Sequence, residues 1–84
     1  MVLLAAWGNG PAEQIKAPLL EIVAQGDADD AGPRLPRIRV WVNKAPQPKE
    51  LIVLDGSAHA QFLFQTDKAD RVINEILRFL SSAE

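Results

Sequence analysis

Three short runs of this chain are apolar on nearly every residue: Val2–Ala6, Leu19-Leu20-Glu21-Ile22-Val23-Ala24 and Leu51-Ile52-Val53-Leu54. A strand with one face in water alternates apolar and polar residues. Continuous runs of this length suit strands covered on both faces, as in a parallel sheet. Parallel neighbours need a crossover between them, usually a helix. The pattern predicts an α/β unit with a three-stranded parallel sheet, strands in chain order, and crossover helices. At 84 residues there is room for one small domain, residues 1–84.

The connecting segments carry weaker signals. Gly8-Asn9-Gly10-Pro11 reads as a turn, and Ala12 to Lys16 has room for one helical turn. Pro18 opens the second strand, a position where proline is tolerated. Further on, Ile38, Val40 and Val42 alternate with polar or larger residues, a strand-like period of two. Leu35, Ile38, Trp41/Val42 and Ala45 fit a helical stripe equally well. Val, Ile and Trp favour the strand, whereas the need for a crossover favours the helix. We assign a helix from about Leu35 to Ala45, with Pro36 in its first turn and Pro46 and Pro48 ending it. The rival is a hairpin of Ile38–Val42 with Leu51–Leu54. In the last segment Ala69, Val72, Ile73, Ile76, Leu77 and Leu80 form one apolar stripe, which predicts a helix packed on the core. Thr66 or Asp67 is its expected N-cap, with Asp70 near the positive helix end.

Composition narrows the partners. The absence of cysteine excludes a disulfide scaffold and a thiol or Cys-zinc site, and fits a reducing, cytoplasmic compartment. A formal net charge of −2 gives no reason to expect nucleic acid or an anionic membrane. Met1 to Trp7 lacks the basic start of a secretory signal, and the longest apolar run is far short of the ~20 residues a membrane span needs. Arg34, Arg37, Arg39, Lys44 and Lys49 surround Trp41 without an acid among them. That stretch reads as a nucleic-acid patch or as a solvated helix face, and the acidic balance of the whole favours the latter. Trp7 follows the first strand, where it would line a substrate pocket or, by default, fill core.

The second and third apolar runs each end in residues that carry chemistry. The second leads into Gly26-Asp27-Ala28-Asp29-Asp30, the third into Asp55-Gly56-Ser57-Ala58-His59. An Asp and then a His, each just past a strand, stand in the order of the acid and base of a Ser…Asp…His triad on an α/β sheet. Plainer readings exist for both: a polar loop capping the next helix, and a surface histidine. Asp29 and Asp30 would also suit a hard cation, but no further ligand is spaced for one, and no metal or cofactor is expected.

With these motifs the chain resembles the C-terminal part of the α/β-hydrolase superfamily. The matching stretches are Ile15-Lys16-Ala17-Pro18-Leu19-Leu20, Gly26-Asp27-Ala28-Asp29, Asp55-Gly56-Ser57-Ala58-His59 and Ile76-Leu77-Arg78-Phe79-Leu80, nearly the whole chain. The resemblance implies that the three strands are the last of a larger sheet. It implies that Asp29, closing Gly26-x-x-Asp29, is the triad acid, and that His59 is the base. Asp27 and Asp30 flank Asp29 as alternatives. The implied activity is that of a serine hydrolase of the esterase or acyl-hydrolase type, acting on a small-molecule ester or acyl substrate. The chain departs from the family in its serines. Ser57, Ser81 and Ser82 are all there are, and none lies in Gly-x-Ser-x-Gly. The expectation is therefore a portion carrying acid and base, without turnover alone, whose exposed strand edge at Val2–Ala6 invites self-association. The rival class is a small non-catalytic α/β interaction module or a truncated product without activity.

Overall fold

The computed structural model describes residues 1–6 and 11–82. Trp7 and most of the Gly8–Pro11 turn lie outside the described residues. Three strands, β1 (Val2–Leu4), β2 (Leu19–Ala24) and β5 (Lys49–Leu54), form a parallel sheet in the order β1-β2-β5. Leu3 stands beside Glu21, and Glu21 beside Leu51, so β2 is central. All six of its residues are buried, which is why its sequence does not alternate. A single turn of 3-10 helix, Ala12–Gln14, lies between β1 and β2. Between β2 and β5 come a two-stranded antiparallel ribbon, β3 (Ala28–Asp29) with β4 (Gly32–Pro33), and then helix α1 (Arg34–Asn43). A second 3-10 segment, Ala60–Gln65, leads to α2 (Ala69–Ser82).

The crossover argument thus prevails over strand propensity at 35–45: the segment is helical, and the hairpin with Leu51–Leu54 does not form. In the helix, Ile38 and Val42 are buried while Val40 is exposed, a separation that a strand would not make. Pro36 sits in the first turn, where no intrahelical N–H is lost. Lys49 Nζ donates to the Asn43 carbonyl at 2.8 Å and caps the other end.

The sheet is covered on both faces. Leu19 and Val23 pack with Ile38, Val42, Ala45, Ala5 and Ala12 on the α1 side. Leu20, Ile22, Ala24 and Leu54 pack with Leu63, Val72 and Phe79 on the α2 side. This odd-even partition is the period of two of a strand, with both faces dry. The stripe on α2 is only partly used. Val72 and Phe79 are buried and Ile76 is partly so, but Ile73, Leu77 and Leu80 are exposed. The apolar arc is wider than the strip of sheet beneath it. Thr66, one of the two expected caps, serves the start of this segment: its hydroxyl oxygen accepts the Lys68 N–H at 3.0 Å, and its carbonyl accepts the Ala69 N–H at 3.2 Å. Arg78 ties α2 to the sheet through Glu50, at 2.7 Å, and also meets Glu75 at 2.8 Å.

Candidate functional site

The carboxyl ends of β2 and β5 lie side by side and their loops are bonded together. Gln25 N–H donates to the Leu54 carbonyl at 2.7 Å, and Gly26 N–H to the Gly56 carbonyl at 2.8 Å. A Cβ on Gly26 would stand 3.0 Å from the Gly56 oxygen and 3.3 Å from Ser57 Cβ. Any side chain there would force the Gly56 backbone to give way by a few tenths of an ångström. Gly56 takes φ +102, a left-handed value that lets the chain turn at once toward His59.

Asp27 leaves β2 through this turn, with its N–H donated to the Ala24 carbonyl at 3.2 Å. Its side chain is 1% exposed, and both oxygens are engaged. Arg34 Nε donates to Oδ1 at 2.9 Å, and His59 Nδ1 lies 2.7 Å from Oδ2. A carboxylate only accepts, so the proton of this bond sits on Nδ1. Nε2 makes no hydrogen bond to the described residues and its ring is 39% exposed.

Asp29, expected as the acid, does not meet His59. It lies in the β3–β4 ribbon and faces α1. Its Oδ1 accepts the Ala31 N–H at 2.9 Å, an Asx turn that closes the ribbon. Arg37 grips both of its oxygens, at 2.7 and 3.2 Å, and Arg34 Nη1 is 3.4 Å away. The Arg37 guanidinium holds the Asp29 carboxyl below the usual carboxylate range. The acid of the pair is therefore Asp27. It reaches His59 directly from the end of β2, while the bidentate fork of Arg37 commits Asp29 elsewhere. The sequence places Arg34 and Arg37 three apart in the first turn of α1, facing the same loop, but carries no signal for which aspartate each one takes.

The arrangement can hold an imidazole in one tautomer, with Nε2 turned away from the Asp27 bond. Ser57, in the connection between β5 and the Ala60–Gln65 segment, is exposed and has no hydrogen bond to His59. No group of three His, Asp or Glu among the described residues is placed to hold a metal ion. Nor is any described helix long and apolar enough to cross a membrane. Fold and site together define a small parallel α/β unit with an Asp–His pair at its carboxyl edge. Compared with protein-family models, curated proteins and solved structures, the chain matches none.

Proposed function

We propose that residues 1–84 are the acid-and-base portion of a serine hydrolase of the esterase or acyl-hydrolase type, with Asp27 as acid and His59 as base. The observation that carries this is the 2.7 Å bond between His59 Nδ1 and Asp27 Oδ2 at the carboxyl ends of adjacent parallel strands, the edge where α/β sheets place their chemistry. In this reading His59 Nε2 takes the proton of a serine hydroxyl as it attacks the acyl carbon, then returns a proton to the leaving group. Asp27 keeps the ring's tautomer and balances the imidazolium. The serine comes from outside these residues. Among the described residues β1 has a strand partner on one side only, and this, with the exposed Ile73, Leu77 and Leu80 of α2, supports a unit that joins further structure.

The rival reading, a non-catalytic module, draws on Arg34. By bonding Asp27 it makes that carboxylate a brace between loop, α1 and His59. Labelling with a fluorophosphonate separates the two. The purified 84-residue chain should stay unlabelled, and should hydrolyse p-nitrophenyl butyrate no faster than its His59→Ala variant. The tagged protein isolated from the cells that make it should be labelled on a serine other than Ser57, Ser81 and Ser82, and His59→Ala should abolish that labelling. An unlabelled native protein would leave the interaction module as the reading. Labelling of Ser57 would make the Gly56–His59 turn a site in its own right.

A further inference from the structure

Glu21 occupies the middle of the central strand and is fully buried. Its neighbours across the sheet are Leu3 and Leu51, and its face of the sheet is packed by Leu19, Val23, Ile38 and Val42. Oε2 accepts a long hydrogen bond, 3.4 Å, from the Ala6 N–H. Oε1 is buried without a partner among the described residues. The Ala6 N–H reaches Glu21 because the backbone turns at Ala5, which takes φ +54, a left-handed conformation that costs any residue with a Cβ. Ala5 is itself buried, and its N–H is held by the Ile22 carbonyl at 2.8 Å.

Charged groups on the surrounding elements are occupied or face water. Lys49 bonds the Asn43 carbonyl, and Arg34 and Arg37 bond Asp27 and Asp29. Glu50 is paired with Arg78 on the α2 side. Glu13, Lys16, Arg39 and Lys44 are exposed. No cation among the described residues is bonded to Glu21, so an ionised carboxylate there has only the long bond from Ala6 N–H and the nearby Ala5 N–H, itself donated to Ile22, to set against its lost hydration.

We propose that Glu21 is a proton-operated latch on the Ala5–Ala6 turn. Protonated, it stays sealed beneath α1, and the carboxyl end of β1 stays docked. Ionised, it releases its proton to bulk water and leaves the core to be hydrated, and the turn comes away with it. Burial pushes the carboxyl up to about 8, against the pull of the Ala6 and Ala5 N–H groups. The latch therefore opens at mildly alkaline pH. It lies at the same edge of the sheet as Asp27 and His59, since all three strands are parallel, but it does not depend on a catalytic role for them.

Amide hydrogen exchange, corrected for the intrinsic pH dependence, tests this. Between pH 6.5 and 9, protection at Ala5 and Ala6 should fall at least tenfold, and at every pH it should stay well below that of Val23 in the β2–β5 ladder. In Glu21→Gln the corrected protection at Ala5 and Ala6 should be flat with pH. If that variant does not fold, the carboxyl 13C titration of the unaltered chain decides. A midpoint near pH 8, tracked by the Ala5 and Ala6 amide shifts, supports the latch. A midpoint below pH 6 overturns it. So does protection at Ala5 and Ala6 as high as at Val23, which would mean that only the whole sheet opens.

Discussion

The backbone N–H of Gly26 is bonded to the carbonyl of Gly56 at 2.8 Å, and this contact sets the spacing between the loop that holds Asp27 and the loop that holds His59. A methyl group at position 26 would meet that carbonyl at 3.0 Å, and backbone cannot swing aside as a side chain can. Gly26→Ala should cost about 1–3 kcal/mol, the range for overpacking a tight site, and should weaken the Asp27–His59 bond. Urea denaturation and the imidazole NMR signals check both.

The two aspartates should separate cleanly by NMR. With Asp27 accepting from Nδ1, the unaltered chain should show a downfield, slowly exchanging Nδ1 proton. Asp27→Asn should abolish that signal or move it upfield by several ppm. Asp29→Asn should leave it in place and act on the ribbon instead, since it loses the Arg37 fork. The reverse pattern would restore Asp29 as the acid.

In α1, Ile38 is fully buried and Val40 is 58% exposed. Ile38→Ala should cost about 2–5 kcal/mol, the usual range for a core isoleucine. Val40→Ala should stay within about 0.5 kcal/mol, as surface changes do. Equal costs at both positions in chemical denaturation would indicate a strand with one shared face.

Stability should fall on both sides of an optimum at about pH 4–5, between the ordinary carboxylate range and the raised Glu21 value. The Glu21 carboxyl stands at about 8 when folded, against 4.5 for the free group. Between those values the folded state binds more protons than the unfolded, so stability declines as pH rises from about 4.5 to 8. The loss is limited to a few kcal/mol by the size of the shift, and Glu21→Gln should remove it. Asp29 and Glu50 are shifted the other way, by Arg37 and Arg78. Their contributions are present above the ordinary carboxylate range and are lost as pH falls through their lowered values. Thermal melts of both proteins across pH 3–9 check the two limbs.

The three strands, their parallel order and both long helices follow from local pattern: continuous apolar runs, a crossover between them, and a stripe of period 3.6 in the last segment. The carboxyl edge and His59 follow too, because a residue just past a strand inherits its position from that strand. Tertiary structure alone chose between Asp27 and Asp29. The two are alike in type and two residues apart, and the choice rests on which of them Arg37 captures, a contact across eight residues of chain. It also exposed Ile73, Leu77 and Leu80, since a helical period marks an apolar arc but not the width of sheet beneath it. Glu21 shows the same division. Its place in a central strand can be read from the runs on either side of it. That one of its oxygens is buried without a partner depends on how closely α1 packs over the sheet.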